Sequence, residues 1–266
     1  MSEQGDVQEE LGTNGVFAAM TWSFGSARRR SMQDFDFETG YDQAWFGMTR
    51  YKLMVDRLDR CFSTGRHSLG EHATVGSDLD VLQAGLMSGE LQSMPSIQAG
   101  LVRRDDLNGS PGWRAGQWRF LLAAAQQGEV QKIVWNQKSP TKRQVARQPG
   151  PGQLMLPLAG VSDLLRSQVV RTPTLVLAHA LSSETGEGEL VIGHPRLDDD
   201  SGESWWWTTD LVALTPGSAG ARGADSGAAG PGPDPVVQVE DAPVTLRRKK
   251  QSDGGDGASA HGGPQA

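Results

Sequence analysis

The chain has 266 residues, a formal net charge of -7 and a pI of about 5.3, which argues against a surface devoted as a whole to binding polyanions. Cys61 is the only cysteine, so an internal disulfide and a cysteine-based zinc cluster are excluded. The N-terminus is acidic and polar, and no apolar run approaches twenty residues, so we expect a cytoplasmic protein with no membrane contact.

Composition divides the chain into parts. The last aromatic residue is Trp207, and residues 215–266 contain eleven Gly and six Pro but no Phe, Trp or Tyr. Such a stretch cannot bury enough apolar area to offset about 1–2 kcal/mol of backbone ordering entropy per residue. We predict an α+β protein with a disordered acidic N-terminus over 1–12, a mainly helical body over 13–148, a Pro/Gly linker over 149–160, a small antiparallel β unit over 161–214 and a disordered tail over 215–266.

Apolar residues at spacings of three and four predict the helices of the body. The strongest signal runs over 42–63, where Asp42 is a capping residue and Asp56 and Arg60 form a favourable pair four residues apart. The pattern predicts further helices over 14–30, 77–91 and 113–127 and a strand over 130–135.

Three apolar runs predict the strands of the β unit, over 174–181, 189–194 and 204–214. A hairpin centred near Thr185 would place His179 opposite Val191 and His194 opposite Val176. The two imidazoles would then not be cross-strand partners, and we interpret both as structural.

An acidic segment alternates with phenylalanine over 34–38. As a strand it would place Asp34, Asp36 and Glu38 on one face, where three carboxylates could hold a magnesium or manganese ion. The same alternation is typical of any half-buried strand, so the sequence favours no metal and no cofactor.

Three consecutive tryptophans, Trp205, Trp206 and Trp207, occupy the last predicted strand. One interpretation is a strand buried on both faces. The other is an exposed aromatic platform for a partner protein, a base or a sugar.

A basic segment over 138–147 carries four cations and no acid, namely Lys138, Lys142, Arg143 and Arg147. We expect a flexible arm that can contact phosphates without a preformed groove. A solvated connecting loop is the alternative interpretation.

A short peptide over 153–158 follows this arm. It resembles the peptide by which many bacterial DNA polymerases and repair proteins bind the sliding clamp, which begins with Gln and has an aliphatic residue three positions later. Gln153 and Leu156 match these positions, Pro157 stands where Phe is usual, and Leu158 would be the anchor of the longer form. The resemblance implies a protein partner.

A compact basic run in the tail comprises Arg247, Arg248, Lys249 and Lys250. It is either a linear interaction element for phosphate or a charge that keeps the tail solvated.

Together these features favour a non-enzymatic accessory protein of a DNA transaction. It would contact phosphate weakly through the two basic segments and a protein partner through its folded body. The alternatives are a metal-dependent enzyme acting on nucleic acid and a purely protein-binding factor.

Overall fold

The computed structural model describes residues 2–68, 85–153, 172–197 and 202–214. Within these ranges, each helix is too short or too polar to cross a membrane. The structure is α+β, with helices packed on a six-stranded mixed sheet. The predicted tail over 215–266 and most of the predicted helix over 77–91 lie outside the described residues.

The segment predicted to be disordered at the N-terminus is helical instead, as helix α1 (Glu3–Thr13). Ser2 caps it by accepting a hydrogen bond from the Gly5 amide at 3.2 Å. Val7 and Leu11, four residues apart, are fully buried. In the sequence these two apolar residues are outnumbered by acidic and polar ones, so the helix was not predicted. Their burial packs α1 against the sheet.

Two long helices form the rest of the helical layer, α2 (Val16–Asp34) and α3 (Gln43–Cys61). The predicted cap of α3 is confirmed, because Asp42 Oδ1 accepts from the Trp45 amide at 2.8 Å. The apolar stripe predicted for this helix is confirmed in part, because Leu58 and Phe62 are buried in the core but Met48 is 66% exposed. Met54, which the stripe did not include, is fully buried. Within the described residues, the other helices are α4 (Ser88–Ser93) and α5 (Pro140–Ala146), with 3₁₀ turns over Gly65–His67, Val130–Lys132 and Trp135–Gln137.

The sheet has the order β1-β2-β3-β4-β5-β6. All neighbouring strands are antiparallel except β3 and β4, which are parallel. The strands are β1 (Val102–Arg104), β2 (Gly112–Ala115), β3 (Trp118–Ala124), β4 (Thr174–Leu181), β5 (Gly188–Pro195) and β6 (Trp205–Asp210). The sheet therefore joins strands from both sides of the predicted linker.

The predicted helix over 113–127 is wrong, because these residues form β2 and β3. A two-residue turn at Gly116 and Gln117 connects the strands, and Gly116 has a φ of 54°. β3 is buried on both faces, so its apolar residues follow one another without the period-two pattern of a half-exposed strand.

Two other local predictions are also wrong. Residues 130–135 are mostly 3₁₀ turns, not a strand. The acidic segment is not a strand, because α2 continues to Asp34 and Asp36 Oδ1 accepts from the Glu38 amide at 2.8 Å in the turn that follows.

The hairpin register differs by one residue from the predicted one. His179 lies opposite Leu190, and Val176 lies opposite Gly193. The shift arises because the connection closes with Leu181 opposite Gly188, so its midpoint precedes Thr185. The two histidines are still not cross-strand partners.

The sheet separates two apolar cores. One lies between the sheet and α1, α2 and α3, and the other lies under the 3₁₀ turns and α5. Alternate residues of β4 enter the two cores, with Leu177 in the first and Ala178 in the second. This explains why β4 and much of β5 are buried on both faces.

Candidate functional site

A group of basic side chains converges on one carboxylate near the C-terminal end of α3. Asp56 is bound by Arg57 Nη1 at 2.5 Å, by Arg60 Nε at 2.8 Å and by His67 Nε2 at 2.9 Å, and also by Arg66. The predicted Asp56–Arg60 pair is thus confirmed and is part of a larger network. Helix α3 supplies the first three residues, and the 3₁₀ turn after it supplies Arg66 and His67.

The arginines of this network are held in fixed positions. Arg57 Nε donates to Ser26 Oγ at 2.8 Å, which ties α3 to α2. The side chains of Arg57 and Arg60 are only 4% and 7% exposed, whereas that of Arg66 is 72% exposed. The network therefore presents two buried guanidinium groups and one exposed guanidinium group.

A cavity of about 490 Å³ opens beside this network. Asp56 is the one carboxylate among the described residues that line it. Five cations line it, namely Arg30, Lys52, Arg57, Arg60 and Arg66. We call this site the arginine cavity.

The electrostatics of the arginine cavity favour an anion. Burial raises the pKa of Asp56, but hydrogen bonds from Arg60, Arg66 and His67 outweigh burial and hold that pKa well below its usual range. Asp56 therefore stays ionised and cannot act as a proton donor near neutral pH. Arg30 is also paired with Asp34 at 2.7 Å, so two carboxylates face the five cations and, among the described residues, the cavity keeps an excess of positive charge.

A second depression, of about 480 Å³, is lined by Arg28 and Arg29 on α2. Arg29 is paired with the buried Glu90 at 3.1 Å, which keeps its guanidinium beside α4. Arg28 is exposed. Arg29 lines this depression and Arg30 lines the arginine cavity, so neighbouring residues of α2 contribute to both.

The basic segment over 138–147 is not a flexible arm. Ser139 caps α5, with its Oγ accepting from the Lys142 amide at 3.4 Å, and Pro140 occupies the first turn. Thr141 and Val145 are buried against the second core. The burial of these residues, which lie between cations in the sequence, orders the segment.

The four cations of that segment do not form one surface. Lys138 Nζ donates to the Ala124 carbonyl at 2.8 Å, and the Lys142 ammonium lies 5.8 Å from the Tyr51 ring centroid. Arg147 is exposed, and Arg143 lies close to it on the helix, away from the two lysines. The structure thus contradicts the predicted flexible arm, and the phosphate contact of these four residues stays a prediction.

The tryptophan triplet is divided among three environments. Trp205 is buried in the second core, Trp207 packs against the first, and Trp206 is 37% exposed. The pairing of β5 with β6 is irregular between His194 and Pro195, where two steps on β6 match one on β5. This β-bulge places Trp205 and Trp207 on opposite faces.

Trp206 is the remaining candidate for a partner contact. The guanidinium of Arg196 lies 4.4 Å from its ring centroid, and a Cβ on Gly150 would meet its ring at 2.8 Å. Part of the Trp206 ring is therefore already covered. The predicted aromatic platform is limited to this one tryptophan.

The other predicted partner residues are only partly described. Gln153 Oε1 accepts from the Gly150 amide at 3.0 Å, so its side chain closes a local turn. Leu156 and Leu158 lie outside the described residues, as do Arg247, Arg248, Lys249 and Lys250.

The acidic residues of the alternative metal site do not assemble. Asp34 is paired with Arg30 at 2.7 Å, Asp36 closes a turn, and Glu38 is exposed. In the part of the chain that the structure describes, no three His, Cys, Asp or Glu side chains are grouped so that they could hold a metal ion.

Comparison with protein-family models, with curated proteins and with solved structures finds no match for this chain.

Sequence reasoning missed the arginine cavity. The spacing of Asp56 and Arg60 indicated a helical pair, but Arg30 and Arg66 come from other elements. The sequence did contain a usable signal. Arg50, Arg57 and Arg60 fall near the apolar residues of the predicted helix over 42–63, where solvated arginines are uncommon.

Proposed function

We propose that the protein is a non-enzymatic, cytoplasmic accessory protein of a nucleic-acid transaction that holds backbone phosphate in the arginine cavity. The carrying observation is that five cations line this cavity, on a chain whose net charge is -7, and that Asp56 is the one carboxylate among its described lining residues. Guanidinium groups bind phosphate oxygens through directional, charge-assisted hydrogen bonds. This site replaces the predicted basic arm as the phosphate contact.

A phosphate chain suits the site better than one isolated phosphate. The two cationic depressions are adjacent along α2, so successive phosphates could occupy both. Met48, which is 66% exposed, and Leu53 line the arginine cavity beside the cations. Apolar side chains next to guanidinium groups favour a ligand that carries bases or sugars as well as phosphate.

Binding should be weak and sensitive to salt. The negative charge of the whole protein repels a polyanion, so a second contact from a protein partner would be needed near physiological salt. The half-exposed Trp206 and the peptide that begins at Gln153 remain the proposed partner contacts.

The test is the binding of labelled single-stranded and duplex DNA, measured by fluorescence anisotropy over a range of salt concentrations. The cavity variant changes Arg30, Lys52 and Arg66 to Gln, because these side chains are more exposed than Arg57 and Arg60 and their replacement should not unfold the protein. Each lost phosphate contact lowers the salt slope by roughly 0.7 to 0.9. The expected drop is therefore roughly 2 to 3.

The matched control changes Arg103, Arg114 and Lys132 to Gln, which removes the same charge from cations outside the cavity. Its slope should change by less than half as much. A further variant with Lys138, Lys142, Arg143 and Arg147 changed to Gln tests the basic arm. If the cavity and control variants have equal slopes, or if the wild type shows no salt-dependent binding, the proposal fails.

A further inference from the structure

A second cluster of cations, distinct from the arginine cavity, lies at the carboxyl-terminal ends of the parallel strands β3 and β4. Arg50 Nη1 donates to the Leu181 carbonyl at 3.0 Å, and its Nη2 donates to the Ala125 carbonyl at 3.4 Å. Lys138 Nζ donates to the adjacent Ala124 carbonyl at 2.8 Å. Two cations from different helical segments thus bind consecutive carbonyls at one edge of the sheet.

Lys142 and His179 complete the group, which we call the edge cluster. The His179 ring is fully buried and stacks at 29° on Tyr51, with the ring centroids 6.3 Å apart. Lys142 lies over the same tyrosine. Burial lowers the pKa of His179 well below its usual value, and the charges of Arg50, Lys142 and Lys138 lower it further. The imidazole is therefore neutral.

Among the described residues no carboxylate pairs with the cations of the edge cluster, unlike other buried guanidinium groups in the same part of the chain. Arg57 is paired with Asp56, and Arg119 is paired with Asp105 at 2.9 Å. Arg50, Lys138 and Lys142 instead bind carbonyls or an aromatic ring. Carbonyls supply only partial negative charge, so three cations remain uncompensated near one another.

Buried polar atoms in the cluster also lack partners. Arg50 Nε and both ring nitrogens of His179 are buried without a hydrogen bond in the described structure. Buried donors are nearly always satisfied in folded proteins, because an unsatisfied one costs about 1–3 kcal/mol. An oxyanion could accept hydrogen bonds from Arg50 Nε, from the single N–H of the neutral His179 ring and from the two lysines.

We propose that the edge cluster is a binding site for a small oxyanion, either a phosphate or a carboxylate group. Its position agrees with the general tendency of ligands to bind beyond the carboxyl ends of parallel strands. Lys138 and Lys142 are half-buried, whereas Arg50 and His179 are buried. The proposal is independent of the nucleic-acid proposal, since it uses none of the residues that line the arginine cavity.

The test is a titration of the labelled protein with inorganic phosphate, and separately with acetate, followed by NMR of the His179 imidazole. We expect a saturable shift of the His179 resonances with one or both anions. Changing both Lys138 and Lys142 to Gln should weaken the affinity roughly tenfold or more, since hydrogen bonds from charged groups are lost. The phosphate and acetate arms show which oxyanion the site prefers.

Two controls separate this site from the arginine cavity. Lys132→Gln removes an exposed lysine outside the cluster, and the Lys52→Gln, Arg66→Gln double variant weakens the cavity; both should keep the wild-type affinity at His179. If the double lysine variant does not fold, Lys142→Gln alone answers the question, because its Nζ donates to no backbone group in the described structure. Resonances of His179 that neither anion moves, or an affinity that the lysine variants do not change, would overturn the proposal.

Discussion

The indole Nε1 of Trp113 donates a hydrogen bond to Asp59 Oδ1 at 2.9 Å, which joins β2 to α3 across the first core. Trp113 is fully buried and stacks on Phe120, with centroids 5.8 Å apart. Asp59 also accepts from Arg104 and from Thr64 Oγ1. The bond therefore belongs to a buried polar network that fixes α3, and with it the arginine cavity, on the sheet.

Trp113→Phe should destabilise the protein by about 3 kcal/mol. The change removes a hydrogen bond to a charged group, worth about 1.5–3 kcal/mol, and leaves a small cavity. Urea unfolding monitored by circular dichroism measures the loss. Asp59 keeps its bonds to Arg104 and Thr64, so the protein should still fold.

Trp118→Phe is the matched control, because it removes the same atoms from the same sheet. The Trp118 indole donates to Glu10 Oε2 at 2.7 Å, but Glu10 is half-buried and can bind water when the indole is gone. We expect a loss about 1–2 kcal/mol smaller than for Trp113→Phe. Equal losses would mean that the Asp59 network contributes nothing beyond packing.

Cys61 should resist alkylation in the folded protein. Its thiol is 5% exposed, and burial raises its pKa to about 12, although the Ser23 hydroxyl 3.7 Å away acts in the opposite direction. The reactive thiolate is therefore scarce. Iodoacetamide at pH 8 should label native protein at least about a hundredfold more slowly than urea-unfolded protein, as measured by mass spectrometry. Comparable rates would show that the end of α3 opens readily.

His179 should make stability depend on pH. Burial, and then the charges of Arg50, Lys142 and Lys138, depress its pKa in the folded state below the unfolded value of about 6.5. The neutral ring therefore contributes stability above pH 6.5, and this contribution falls as the pH drops from 6.5 toward the folded pKa. One proton gives a slope of up to about 1.4 kcal/mol per pH unit.

NMR of the imidazole carbon checks this assignment directly. The His179 resonance should stay at the neutral position at pH 5.5, whereas histidines of the urea-unfolded chain titrate near pH 6.5. A folded-state midpoint at or above 6.5 would contradict the buried, cation-surrounded position of the ring.

The long helix α3 could be predicted from the sequence because its signals are local. Asp42 caps it, and buried residues such as Met54 and Leu58 recur on one face. The strands β4 and β5 were also predicted nearly to their ends, since each is a compact apolar run next to a polar turn. Local capping and burial patterns decide such elements.

The strands β2 and β3 could not be predicted in the same way. The alanines at the end of β3 favour a helix by intrinsic propensity, and burial on both faces of the sheet overrides that preference. The candidate sites depend on contacts between distant segments. Arg50 and Lys138 meet because both donate to carbonyls at the end of β3, a contact between distant segments that no local pattern reveals.

The last prediction concerns two glycines that differ in their surroundings. A Cβ on Gly188, at the start of β5, would lie 2.5 Å from the Phe24 ring and 3.2 Å from the Ala180 carbonyl. Gly47 is in α3, and a Cβ there would meet nothing within 4 Å. Neither glycine has a positive φ, so the space around each decides the effect of an added methyl group.

Gly188→Ala should destabilise the protein by about 1–3 kcal/mol, because the buried Phe24 must shift within the packed contact between α2 and the sheet. Gly47→Ala should stabilise it by about 0.5–1 kcal/mol, because alanine restricts the unfolded chain and favours the helix. Thermal unfolding of both variants measures the two changes in one experiment. A neutral result for Gly188→Ala would mean that α2 does not press on β5 at this point, and a loss for Gly47→Ala would mean that the outer face of α3 is covered.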